Sequence, residues 1–154
     1  MAKPFKRNLL HRVVNPLTLG LLRLGLGLKQ SRALTVTGRK SGREYTTPVN
    51  LVFRDGKRYL VSPYGTKGWA MNARAAGKVT LSRGRKREEV AIREMPPAEA
   101  GPVLRQYYDE NAITHPYFDV TAESTDAEFA AEAPLHPVFL LDPLWLRRTL
   151  TSEV

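Results

Sequence analysis

Two short segments contain residue types that can hold an anion beside a planar ring. Residues 37–43 read TGRKSGR. The two glycines permit a tight turn and close backbone approach. Arg39 can grip a phosphate through two parallel N–H donors, Lys40 adds a point charge and Ser41 a hydroxyl donor. Successive backbone N–H groups in such a turn, including that of Gly42, form a nest for an anion. An ordinary exposed hairpin with basic residues would have the same composition. Residues 62–72 read SPYGTKGWAMN. A glycine-flanked loop entering a helix offers amide donors to a planar polar ligand. Tyr64 and Trp69 can stack on a ring, and Lys67 adds charge. The alternative for Trp69 is an anchor in the core.

Other catalytic signals are sparse. The three histidines, His11, His115 and His136, are not paired with one another at i, i+4, and none stands beside a carboxylate cluster. No metal site is therefore expected. Ser41 lacks the G-x-S-x-G frame of an activated nucleophile, and no phosphate-binding glycine motif follows a strand. The absence of cysteine excludes a disulfide framework and a thiolate nucleophile. Two classes fit this poverty: a binding module, or an enzyme whose cofactor supplies the chemistry while the protein supplies orientation and electrostatics.

The chain has 154 residues, a length that suits one domain, and a net charge of +9. That charge is localised: residues 1–93 carry a net +17 and residues 94–154 a net −8. A basic excess of this kind implies an anionic partner without specifying it. The run RGRKR at 83–87, with the nearby Tyr and Trp residues, fits a nucleic-acid-binding module. The lack of a reading motif and the acidic last third count against nucleic acid.

The elements that would position these segments can be read from periodicity. Residues 13–28 are rich in Leu and Gly behind a basic start, which imitates a signal peptide. Arg23 interrupts the stretch, no small-residue cleavage site follows, and it is shorter than the roughly 20 apolar residues of a membrane span. It reads as a helix opening near Pro16 with Asn15 as N-cap, and with Leu17, Leu21, Leu24 and Leu28 on one face. That face either packs on the domain or touches an anionic membrane surface. Strands are expected at 33–37, 45–53, 58–62, 79–82, 88–93 and 136–141. Within 45–53, Tyr45, Thr47, Val49, Leu51 and Phe53 alternate onto one face, and Pro48 marks an edge or a bulge. Helices are expected at 69–76 and 98–111, and a long loop at 112–134 with a short helix near 127–131. Consecutive short strands with hairpin turns predict an antiparallel sheet that closes on itself, mainly β with flanking helices.

Taken together, the strand–TGRKSGR–strand unit and the passage SPYGTKGWAMNARAAGKVTL resemble the deazaflavin-dependent nitroreductase family, within the flavin/deazaflavin oxidoreductases. The resemblance covers roughly residues 13–141. It implies a split β-barrel of α+β class, with residues 1–30 a basic amphipathic helical segment and 31–154 the barrel of a single domain. It also implies coenzyme F420, a deazaflavin with a phosphate-linked polyglutamate tail, as hydride carrier; FMN or FAD is the alternative. Arg39, Lys40, Ser41 and Gly42 would then hold the phosphate and tail. Pro63, Tyr64, Gly65, Lys67 and Trp69 would line the ring and ribityl chain, with Asn72 beside them. The reaction implied is reduction of a quinone, nitro or enone acceptor, with Tyr107, Tyr108, Tyr117 and Phe118 as candidates for the acceptor end. A cytoplasmic enzyme, a homodimer, and membrane association through the N-terminal helix complete the expectations.

Overall fold

A computed structural model describes the chain at residues 2, 9–66 and 68–143, and its side chains at 2, 15–66 and 68–142. Among the described residues there are seven strands, β1 (Ser31–Thr37), β2 (Glu44–Asn50), β3 (Val52–Arg54), β4 (Lys57–Val61), β5 (Lys78–Arg83), β6 (Lys86–Glu94) and β7 (Val138–Pro143). Four α-helices, α1 (Leu9–Arg23), α2 (Trp69–Ala76), α3 (Pro97–Glu110) and α4 (Asp126–Glu132), and a 3-10 helix, Ala112–Tyr117, complete the order. The strands form one antiparallel sheet in the order β2-β1-β5-β6-β7-β4-β3. Its two outer strands, β2 and β3, are consecutive in the chain and separated only by Leu51. The sheet must therefore curl until its edges approach, giving a half-barrel of the kind the expected split β-barrel requires.

The single strand expected over 45–53 is thus two. Leu51 is fully buried at the corner between them, while Tyr45 and Phe53 are exposed, so the expected alternating face breaks there. Pro48 lies opposite Ala33 on β2, an outer strand paired only with β1, where its missing N–H costs no ladder bond.

The core lies on both faces of the sheet. Leu34 and Val36 of β1, Leu60 of β4 and Phe139 and Leu141 of β7 point inward, where Ala70 and Ala73 of α2 meet them. Val61, Val138 and Leu140 point the other way, under α3, where Val103, Leu104, Tyr107 and Tyr108 cover them. β4 and β7 are covered on both faces, which explains the unbroken apolar run VFLL in β7. β7 begins at Val138, so His136 and Pro137 precede the strand instead of opening it. The 112–134 stretch contains the 3-10 helix and α4, whose first turn is closed by a capping box between Thr125 and Glu128.

The N-terminal helix departs from expectation. α1 is already helical from Leu9, so Pro16 sits inside it and Asn15 is not an N-cap. The helix stops at Arg23, and the positive φ of Gly25 and Gly27 turns the chain away. Helical spacing therefore does not carry through to Leu24 and Leu28. Leu17, Leu21, Leu24 and Leu28 are all exposed, and Leu22 is the residue that packs against the sheet. No helix among the described residues is long and apolar enough to cross a membrane.

Candidate active site

The end of β1, the start of β2, the start of α2 and the body of α1 enclose a cavity of about 680 Å³. The turn between β1 and β2 forms its basic end. Its tightness is set by Gly38, where a Cβ would come within 2.7 Å of the Tyr45 ring and 2.8 Å of Ser41 Oγ. The Gly38 amide donates to Arg43 O at 2.7 Å. Ser41 Oγ accepts from the Arg43 amide at 3.2 Å and lies 3.3 Å from Tyr45 Oη. Asn72 of α2 anchors the turn from across the cavity, because its Oδ1 accepts from both the Arg39 amide, at 3.1 Å, and Arg39 Nη1, at 2.8 Å. The guanidinium is therefore held at the cavity wall with its remaining N–H groups available.

The other end is aromatic. Trp69 opens α2 after Gly68, which has a φ of 76° and, having no side chain, leaves the helix start without a side-chain cap. Uncapped N-terminal amides and the helix dipole favour negative charge there. Trp69 is half-buried and leans on Phe139, with ring centroids 6.0 Å apart. Tyr64 packs edge-on against Tyr117 at 5.0 Å. Burial, and secondarily Tyr117, push the Tyr64 hydroxyl above the usual tyrosine range, so it keeps its proton well past neutrality.

A second cleft, of about 400 Å³, adjoins the first and shares Asn15, Thr47, Tyr64 and Trp69 with it. Its walls are largely apolar, from Leu21, Leu28, Pro48, Val49 and Ile113. Its floor is a polar relay in which Ser31 Oγ donates to Asn50 Oδ1 at 2.6 Å, Asn50 Nδ2 to Asn111 Oδ1 at 2.8 Å, and Asn111 Nδ2 to Tyr107 O at 2.9 Å.

Of the residues singled out from sequence, Arg39, Lys40, Ser41, Tyr64, Trp69 and Asn72 line the larger cavity. Gly42 stands in the turn with φ 70° but off the lining. Pro63 lines the second cleft, and Gly65 O accepts from Ser62 Oγ at 2.6 Å. Lys67 lies outside the described residues. Tyr107 lines the second cleft, while Tyr108 and Phe118 are buried in the core beneath α3 and Tyr117 reaches the site through Tyr64.

Sequence reading overlooked Asn15, Thr47, Ser62 and the pair Glu132–His136. The pair carried a signal, since the two are four residues apart: His136 stands beside no carboxylate cluster, but it does meet the single carboxylate of Glu132. His136 is buried and stacked on Phe118 at 4.1 Å. Its Nε2 is 3.2 Å from Glu132 Oε2, and its Nδ1 is 3.3 Å from Ser62 O. Glu132 Oε1 accepts from the Asp119 amide at 2.9 Å. Burial holds the imidazolium below its ordinary value, against the pull of the Glu132 carboxylate and of the Ser62, Tyr117 and Pro63 carbonyls. The pair thus ties the cavity loop at Ser62–Pro63 to the segment bearing Tyr117. No group of three metal-ligating side chains occurs among the described residues.

Comparison with known proteins gives the family. The model of the F420H(2)-dependent quinone reductase family matches residues 22–131. Among solved structures, one described as an F420-H2 dependent reductase (FDR-A) is 22% identical with a TM-score of 0.52, covering 74% of this chain and 95% of that one. Another, described as a domain-swapped dimer, is 21% identical with a TM-score of 0.53, covering 82% and 95%. A protein of unknown function from Agrobacterium tumefaciens is 16% identical with a TM-score of 0.54, covering 92% of this chain and 59% of that one. These likenesses are of fold. No curated protein matches the chain.

Proposed function

Since the chain belongs to the F420H(2)-dependent quinone reductase family and is an oxidoreductase, we propose that it binds coenzyme F420 in the larger cavity. In this reading it reduces a quinone, nitro or enone acceptor held in the adjoining cleft. The observation that carries this is the division of one continuous space into a basic end, an aromatic middle and an apolar cleft. Arg39, oriented by Asn72, and Lys40 suit the phosphate and acidic tail. Tyr64 and Trp69 suit the faces of a flat ring, and the uncapped start of α2 suits a developing negative charge. When bound, the deazaflavin supplies two electrons as hydride.

The chain itself binds, orients and shields. The wall formed by Leu19, Pro16 and Trp69 keeps water from the ring. Reduction of a quinone consumes one proton with each hydride. Tyr64 lines both cavities and keeps its proton at neutral pH, so in this reading its hydroxyl donates to an acceptor oxygen. Fluorescence titration of the purified protein with coenzyme F420 tests the reading. Saturable binding is expected, weakened in Arg39→Ala and Lys40→Ala by about 1–3 kcal/mol for each lost charge-assisted contact. A folded protein that binds no F420 at tens of micromolar rules the reading out.

A further inference from the structure

A third cavity, of about 840 Å³ and so larger than either space of the candidate active site, lies at the opposite end of β1; it shares no residue with the 680 Å³ cavity and only Gly27 with the adjoining cleft. It lies between the segment 25–32, Arg58 of β4 and the β5–β6 hairpin, the stretch that contains the RGRKR run. Three of its cations are fixed in the framework. The Arg83 guanidinium donates to Gly25 O at 3.4 Å, Gly27 O at 3.1 Å, Ser31 O at 3.2 Å and to Leu28 O. Arg32 Nη1 donates to Lys29 O and Ser31 O, each at 2.7 Å. Arg58 pairs with Glu88, which is the one carboxylate in the lining. The Gly84 amide donates to Leu22 O at 2.7 Å and clamps the hairpin tip onto the end of α1.

That leaves Lys29, Arg85, Lys86 and Arg87 around the rim with no acidic partner among the described residues. Like charges are crowded here: burial first, and then the neighbouring guanidiniums of Arg83 and Arg58, push Arg32 below its usual value. A surface tuned only for solubility disperses like charges. A concave cluster focuses its field and raises the local concentration of anions. Planar guanidiniums match phosphate oxygens two at a time. The volume falls in the range of about 300–1,000 Å³ typical of small-molecule sites. The lining contains no aromatic side chain. A base would have nothing to stack on, and proteins that track single strands interleave aromatic platforms with their cations.

We propose that this cavity is a second ligand site, which takes a small oligophosphate by its phosphate chain and is indifferent to any base attached to it. Calorimetric titration of the full chain with inorganic tripolyphosphate at low salt tests this, with parallel titrations of ATP, orthophosphate and a short single-stranded oligonucleotide. Tripolyphosphate and ATP are expected to bind within about threefold of each other, and orthophosphate at least about tenfold more weakly because it meets fewer cations. The exposed pair Arg85→Gln/Lys86→Gln is expected to lower tripolyphosphate affinity by about tenfold or more without moving the melting temperature. Arg39→Gln, in the other cavity, is expected to leave that affinity unchanged. Four results would overturn the proposal: no tripolyphosphate binding at millimolar concentration, loss of binding in Arg39→Gln but not in the hairpin variant, ATP binding far more tightly than tripolyphosphate, or an oligonucleotide outcompeting tripolyphosphate at the hairpin.

Discussion

Glu132→Gln isolates the electrostatics of the buried pair while keeping its shape. His136 Nδ1 lies 3.3 Å from Ser62 O and Nε2 lies 3.2 Å from Glu132 Oε2, a buried oxygen with no hydrogen-bond partner among the described residues. Protonating Nε2 converts that contact into an attraction. At 3.2 Å and an effective dielectric of about 20, the attraction is roughly 5 kcal/mol. In the variant the shape is kept, the charge is gone and a side-chain oxygen still accepts from the Asp119 amide, so stability at pH 7.5 should change by less than about 1 kcal/mol. Acid behaviour should differ. Because burial lowers the folded-state value of His136, the unfolded chain binds more protons, so stability falls as pH drops below the unfolded value of about 6.5. In the wild type the carboxylate offsets part of the burial, so the fall is shallower than in the variant. In the variant nothing offsets the imidazolium, and the fall approaches the one-proton limit of about 1.4 kcal/mol per pH unit, or about 2 kcal/mol between pH 6.5 and 5.0. Urea denaturation followed by circular dichroism at pH 7.5, 6.5, 5.8 and 5.0 measures both slopes, and groups other than this pair cancel in the difference. Equal slopes for the two proteins would show that the carboxylate does not face the imidazole.

Two further outcomes concern the basic end of the larger cavity. Asn72→Ala removes both bonds that hold Arg39, so it should weaken F420 binding by about 1–2 kcal/mol although the asparagine carries no charge; in a double-mutant cycle with Arg39→Ala the losses should be strongly sub-additive, and additive losses would mean that Asn72 does not act through Arg39. Gly38→Ala places a methyl 2.7 Å from the Tyr45 ring and 2.8 Å from Ser41 Oγ, so both side chains, which line the cavity, must shift; F420 affinity should fall severalfold with the melting temperature lowered by only a few degrees, and unchanged affinity would remove the turn from the site.

How far the site could be read in advance follows the range of the interactions that build it. The 37–43 turn and the start of α2 were legible because a glycine turn and a helix start are local events, encoded within a few residues. The bond from Asn72 to Arg39 spans 33 residues, and spacing carries no trace of it. Glu132 and His136 are four apart, yet i, i+4 spacing distinguishes a buried pair from a solvated one only once Phe118 and the Ser62 carbonyl are known to enclose it. The leucines of the N-terminal segment misled for a related reason. Their period was read through Gly25 and Gly27, where the backbone has left the helix, and a helical face exists only as far as its helix does. The broken strand at Leu51 has the same origin. Strand alternation runs unchanged across that residue, and only the meeting of the two sheet edges, a property of all seven strands together, requires the chain to turn there. The same closure decides what the charge can do. β1 joins the two cavities end to end, and its pairing with β5 carries the RGRKR hairpin to the end opposite Arg39. The basic residues described in the first two thirds thus gather in two places, the Arg39–Lys40 turn at one end of β1 and the RGRKR hairpin at the other.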